Sequence, residues 1–348
     1  MPDARMLILM PSWVGDAVMA TPTLRAIRRA HPAAHLVALV RPGLDRLLAG
    51  LPVIDACIVH PMKGVAGALG AGRAARGVAP DTVVILPNSF RAALVAWLSR
   101  APRRIGFRTD GRGWLLTDGV PPPDRMQPVP ALDWYAELAR AGVGVPVDDR
   151  SPFLAVTADE QARAAPVVEA AGTRFAVLNP GANRLDKRWP VERFAAVATH
   201  LAAQHGLKVV LSGAPAERPL LEEIVASCRI PVVNAAQFDL DLGSLKALLA
   251  QARVLVTNDT GPRHIAAALG TPTVCLFGPT DHRWTTLPVP NQRLVLAEPF
   301  LPAELVADRH AKACAIDRIS VGDVCFAVDA LLGRADEAAS ATPVAPRR

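Results

Sequence analysis

Residues 257–264 read Thr-Asn-Asp-Thr-Gly-Pro-Arg-His, between an apolar run at 254–256 and a helical apolar pattern at 265–269. A strand that ends in such a polar turn opens a helix there. A helix start presents unpaired N–H groups and the positive end of a dipole, so it is a ready anion site. Thr260 and Gly261 would offer the backbone amides. Gly261 lets the chain approach a ligand closely, and Pro262 suits a first turn because it needs no donor. A second loop at 179–190, Asn-Pro-Gly-Ala-Asn-Arg-Leu-Asp-Lys-Arg-Trp-Pro, also joins a strand to a helix. Its Gly181, Ala182 and Asn183 form the turn, and Asn183 would either bond a phosphate oxygen or shape the loop. Lys187 is a candidate cation; the alternative is a solvated surface lysine. Two such loops suggest a diphosphate held between them, and so a nucleotide-activated substrate.

Other residues could serve the same chemistry. Asp16 follows Gly15 in the first strand-to-helix loop. It is either a carboxylate tuned by burial to accept a proton, or an acid stabilising a helix N-terminus. Glu217 would accept both hydroxyls of a ribose or simply begin a helix. Asp259 would cap the helix after it or hold a substrate hydroxyl. His264 falls in that helix's first turn, where a lone histidine usually packs. Arg91, Arg103, Arg104, Arg108 and Arg112 cluster in the first half, with forks that suit phosphate and carboxylate. The alternative is a solvated basic face. No aromatic interleaving or recognised module supports nucleic acid as the partner. Asn88 and Ser89 are expected to cap a helix beside the cluster.

Short apolar runs alternating with helical patterns would position these groups. Strands are expected over 6–10, 36–40, 57–59 and 82–86. Helices are expected over 92–98, over 131–141 with a stop at Gly142, and from a Thr21 N-cap and Pro22 to about 30. A connection follows over 143–172. The second half repeats the alternation, with strands over 175–178, 209–211, 232–233, 254–256 and 274–277. Its helices are expected over 191–205, 217–227, 243–252 and 262–269. This pattern predicts an α/β fold of two doubly wound, Rossmann-like domains facing a cleft, residues 1–155 and 156–333. Residues 334–348, rich in Ala, Pro and Ser, read as a frayed tail.

Composition sets the bounds. The chain has 348 residues, 51% of them hydrophobic, so each domain can bury a core. No apolar run approaches the roughly 20 residues of a membrane span. The apolar stretch at 6–10 is too short for a signal-peptide core, so a cytoplasmic address is expected. Cys57, Cys228, Cys275, Cys314 and Cys325 are scattered, which argues against disulfides or a zinc site. Residues 1–150 hold 18 Lys/Arg against 12 Asp/Glu, and the rest of the chain holds 20 of each. The whole positive excess therefore lies in the first half, consistent with an anionic partner there or with an arginine-rich composition.

Taken in order, several stretches resemble the lipopolysaccharide heptosyltransferases, glycosyltransferase family 9, and among them the second-heptose enzymes. They are Pro-Ser-Trp-Val-Gly-Asp-Ala-Val-Met-Ala at 11–20, Leu-Pro-Asn-Ser-Phe-Arg at 86–91 with Arg-Ile-Gly-Phe-Arg at 104–108, and Asn-Pro-Gly-Ala at 179–182. The others are Lys-Arg-Trp-Pro at 187–190, the 257–264 motif, and Leu-Phe-Gly-Pro-Thr at 276–280. The resemblance implies a GT-B fold whose first domain binds the acceptor and whose second binds the donor. It implies inverting transfer from ADP-L-glycero-D-manno-heptose to an anionic lipid-linked oligosaccharide, the lipopolysaccharide inner core. Asp16 becomes the base. Lys187, Gly15, Gly181, Ala182, Asn183, Glu217, Asp259, Thr260, Gly261 and His264 become the donor side. Asn88, Ser89, Arg91, Arg104, Arg108 and Arg112 become the acceptor side. No cofactor is expected. No metal is expected either, since a lysine and a helix dipole can replace it. A monomer at the cytoplasmic face of the inner membrane is expected, touching it peripherally. The rivals are a same-fold transferase using another sugar or a protein acceptor, a sugar-nucleotide epimerase, and a noncatalytic binder of ADP-sugar. A dinucleotide oxidoreductase is disfavoured, because the first strand leads into Trp13-Val-Gly-Asp16 and not a G-x-G-x-x-G turn.

Overall fold

The computed structural model describes residues 4–123, 128–298, 301 and 305–341. The chain divides into two compact units, Met1–Ala155 with Arg283–Pro288, and Val156–His282 with Val289–Arg348.

The first unit carries β1 (Arg5–Leu9), α1 (Val14–Met19), α2 (Thr21–Ala30), β2 (His35–Val40), α3 (Leu44–Leu48), β3 (Ala56–Val59), α4 (Gly64–Gly77), β4 (Thr82–Ile85), α5 (Phe90–Leu98), β5 (Arg103–Phe107), β6 (Asp118–Val120) and α6 (Ala131–Leu138). All strands are parallel in the order β3-β2-β1-β4-β5-β6. The central strands are apolar and buried, as strands covered on both faces must be.

The second unit carries α7 (Ala158–Ala171), β7 (Phe175–Asn179), α8 (Val191–His205), β8 (Lys208–Leu211), α9 (Arg218–Ser227), β9 (Val232–Asn234), α10 (Leu242–Gln251), β10 (Val254–Asn258), α11 (Gly261–Leu269), β11 (Thr273–Phe277), β12 (Gln292–Leu296) and α12 (Val321–Ala341). Its parallel order, β12-β11-β10-β7-β8-β9, is the same winding repeated. Each sheet therefore reverses direction between its first and fourth strands, β1/β4 and β7/β10. The crevice at the carboxyl ends of such a pair is where doubly wound sheets bind ligands.

The structure departs from the sequence reading in several places. A helix, α1, follows β1 at once, so Gly15 and Asp16 lie in its first turn and not in a loop. Thr21 is the first residue of α2 and not its cap; its hydroxyl donates to the Val18 carbonyl at 2.8 Å. α4 escaped notice because its glycines weaken helix propensity. β5, β6 and β12 carry Arg, Asp, Gln or Gly among few apolar residues, the composition of sheet margins. α6 runs into a wide turn, Ala139–Val143, and stops at Gly144 with φ 84°, not at Gly142. Gly142 is there for packing: a Cβ would stand 2.3 Å from Ile105 Cγ2. α12 continues to Ala341, into the stretch read as frayed, and residues 342–348 of that stretch lie outside the described residues.

Candidate active site

In the first unit, β1 delivers the chain through 10–13 to α1. Trp13 caps that helix with an extended backbone but no side-chain hydrogen bond. Asp16 follows Gly15 in the first turn and is half-buried. Among the described residues its carboxylate has no hydrogen-bond or ion-pair partner. Burial without compensation disfavours the charged form and raises its pKa from 3.8 to about 6. Tyr135 of α6 is buried near it. Burial first and the Asp16 charge second push its phenol well above the ordinary value, so the hydroxyl stays protonated.

The loop after β4 holds Asn88 and Ser89. Ser89 caps α5 by accepting from the Ala92 amide at 3.3 Å. Asn88 does not cap; its Oδ1 accepts from Arg112 at 3.3 Å. Arg112 corrects the acceptor assignment. It is fully buried, and its guanidinium donates to the carbonyls of Phe107 at 2.9 Å, Pro87 at 2.5 Å and Ser89 at 3.1 Å. It is an internal strut that fixes the β4 and β5 loops. Arg104 is similarly spent on the Leu115 and Ala101 carbonyls, at 2.8 and 2.6 Å. Arg103 binds Asp118 and the Gly142 carbonyl. Arg103 is exposed too but paired with Asp118, so Arg91 and Arg108 are the exposed members that no described carboxylate engages. Arg91 donates once, to the Met62 carbonyl, and Arg108 lies across Gly119, where a Cβ would come within 2.6 Å of its Nε. Of the arginines expected to meet an anionic acceptor, these two keep the exposure that task needs.

In the second unit the two loops are tied together. Asn258, buried at the end of β10, donates to the Pro180 carbonyl at 2.7 Å, and Asn179 at the end of β7 donates to that of Ser212 at 2.8 Å. Gly181 is closely backed by Glu217: a Cβ there would sit 2.0 Å from a carboxylate oxygen. Glu217 accepts from the Ala214 amide at 2.8 Å and lies 4.0 Å from Arg188, so the helix-start role is present. Arg188 also donates to the Ala182 carbonyl. Asn183 is exposed.

Lys187 is buried, and its ammonium lies 2.9 Å from Asp259. Arg263, fully buried, approaches the other carboxylate oxygen at 3.3 Å, and the Thr280 hydroxyl donates to Asp259 at 3.1 Å. Thr260 and not Asp259 is the N-cap of α11, which corrects that expectation, and the Asp259 carboxylate is engaged by Lys187, Arg263 and Thr280. Burial would raise its pKa, but the charges of Lys187 and Arg263 overcome that and hold it below the usual range. Thr260 is the N-cap of α11 in extended conformation, without a side-chain cap; its hydroxyl turns back to the Asn258 carbonyl at 3.3 Å. His264 is buried in the first turn. Burial, then the neighbouring Arg263 charge, drives its pKa to about 3, so it is neutral. Its Nδ1 has no hydrogen-bond partner among the described residues.

Sequence reasoning missed Arg263 as a buried cation, Thr280, Tyr135 and the two tying asparagines. The asparagines and Thr280 stood inside quoted motifs, which was the available signal. Nothing in the sequence marked Tyr135.

Lipopolysaccharide heptosyltransferase 2 of Salmonella typhimurium is 30% identical over 301 residues, covering 81% of this chain and 84% of that one. The solved ADP-heptose lps heptosyltransferase II of E. coli superposes with a TM-score of 0.81 at 26% identity, covering 95% of this chain and 99% of the other. A glycosyl transferase family 9 structure from Veillonella parvula gives a TM-score of 0.81 at 23% identity, over 96% and 98%. These neighbours share the paired Rossmann-like, GT-B fold class. The model of glycosyltransferase family 9 (heptosyltransferase) matches residues 70–307. The chain belongs to glycosyltransferase family 9 and is a glycosyltransferase.

Proposed function

We propose that this enzyme moves heptose from ADP-L-glycero-D-manno-heptose to the inner core of lipopolysaccharide with inversion. The names of its relatives, heptosyltransferase 2 in Salmonella typhimurium and ADP-heptose lps heptosyltransferase II in E. coli, support this substrate pair. The observation that carries the chemistry is Asp16, an unpartnered carboxylate whose pKa lies at about 6 beside the switch point of the first sheet. At neutral pH it is charged yet poorly solvated, so it readily accepts the proton of an attacking hydroxyl. The oxygen attacks the anomeric carbon as the bond to diphosphate breaks, and ADP leaves. Lys187 and the uncapped start of α11 stabilise the charge on that leaving group. Gly181, Ala182, Asn183, Thr260, Gly261 and neutral His264 line the donor side, with Glu217 backing Gly181. Arg91 and Arg108, with Asn88 and Ser89, receive the anionic acceptor. No described helix is long and apolar enough to cross a membrane. In this reading the enzyme works as a monomer and meets the inner membrane peripherally from the cytoplasm. The test is release of ADP from ADP-heptose with short-core lipid. Asp16→Asn should bind ADP-heptose normally and release almost none; normal turnover in that variant refutes the assignment of the base.

A further inference from the structure

Helix α4 is amphipathic the wrong way round for a soluble surface. It buries Ala68, Ala71, Gly72 and Ala75 and turns Val65, Leu69, Arg73 and Arg76 outward. The small buried residues let it press on α5, where a Cβ on Gly72 would meet Leu98 at 2.5 Å. α5 repeats the pattern. Ala92, Ala93, Val95 and Ala96 are buried, while Phe90 and Trp97 look out at 39% and 49% exposure. Trp114, 70% exposed, lies with its ring 6.1 Å from that of Phe90, and Arg91 reaches the Met62 carbonyl just before Lys63 and Val65. Two neighbouring helices and one turn thus offer a strip of large exposed apolar side chains, Val65, Leu69, Phe90, Trp97 and Trp114.

The rim of this strip is mostly basic. Lys63, Arg73, Arg76, Arg91 and Arg100 are exposed around it, against Asp110, whose carboxylate accepts from the Phe90 amide at 2.7 Å. Exposed tryptophans amid basic residues are how proteins settle into the headgroup layer of an anionic bilayer. The aromatic rings enter the interface and the cations meet lipid phosphates. A protein partner would be matched by a rim of mixed charge.

We propose that the outer face of α4 and α5, with Trp114, is a docking surface for an anionic lipid bilayer. The inference deepens the proposed function, because a lipid-linked acceptor presents its sugars at such a surface. Its binding readout needs neither donor nor acceptor, so it can fail separately from that reading. Full-length protein is co-sedimented with vesicles of phosphatidylcholine alone, or with about one third phosphatidylglycerol. Binding is expected to the anionic vesicles only, weakening as salt rises. Arg73→Glu/Arg76→Glu and Val65→Ser/Trp97→Ser should each lower partitioning at least about tenfold, with unchanged turnover on delipidated acceptor. Brominated phosphatidylglycerol should quench tryptophan emission, less so in the conservative Trp97→Phe/Trp114→Phe protein. Undiminished binding by both charge and apolar variants overturns the proposal. So does binding only when the vesicles carry the acceptor lipid, or a solution dimer that the same variants dissociate.

Discussion

Replacing Asp16 by asparagine should make the protein more stable and nearly inactive at once. The carboxyl titrates at about 6 in the folded chain against 3.8 when it is solvated. A raised acid pKa means the native state holds the proton more tightly than the unfolded state. Native stability is therefore fullest below 3.8 and falls as pH rises through about 6, beyond which the whole penalty is present. A gap of about 2 pH at about 1.4 kcal/mol each sets that penalty at no more than about 3 kcal/mol near pH 7. Asp16→Asn removes it, since an amide of the same shape carries no charge. Chemical denaturation at pH 7 should show a gain of about 1–3 kcal/mol that disappears near pH 4. Loss of a general base should lower kcat about 10²- to 10⁴-fold. In the native enzyme kcat/KM should climb with pH through about 6 and then level, because the base must be charged to act. A gain over the native enzyme that is no larger at pH 7 than at pH 4, or a profile flat across pH 5 to 7, would refute the argument that burial tunes this group.

Lys187→Ala should weaken ADP binding by about ten- to hundredfold in calorimetry, because it removes the ammonium held beside Asp259 at the α11 start. Asp259→Asn should leave ADP bound at least as tightly, yet lower kcat, since the site loses its anion and Lys187 its anchor; weaker ADP binding would show that Asp259 serves the ligand directly. Gly181→Ala places a methyl group 2.0 Å from the Glu217 carboxylate, so nucleotide affinity should drop while folding stays cooperative. Glu160 and Lys246 form a buried pair at 2.9 Å that joins α7 to α10. Glu160→Ala should cost about 3–5 kcal/mol in urea denaturation, and Glu160→Leu with Lys246→Met should recover most of it.

The β/α alternation of both halves was legible because central strands of a parallel sheet are continuously apolar, as at Leu7–Met10 and Val254–Val256. Elements with weak local signals were not. α1 is six residues long and has no side-chain cap, and β12 is half-buried along its whole length. Site positions could be read where a motif crossed a strand end, since winding order alone places those turns together. What individual charges do there could not. Arg112 and Arg108 stand four residues apart in one basic segment, yet one is a buried strut and the other is exposed. That difference is made by carbonyls of Pro87 and Ser89, more than 20 residues away in sequence, which no local pattern reports.

The same distance effect explains why Asp259 sits beside Lys187 at all. A buried ion pair is a poor source of stability, because desolvating two charges offsets most of their attraction. Its return here is positional. Lys187 and Arg263 contribute two positive charges, Asp259 one negative charge, and His264 is held neutral. The group keeps a single net positive charge at an uncapped helix start, where the dipole adds to it. In the proposed reaction an anion of the departing diphosphate would complete that balance, whereas a neutral hydroxyl would leave it unmet. Because Asp259 fixes the ammonium beforehand, little reorganisation would remain when charge develops on that leaving group.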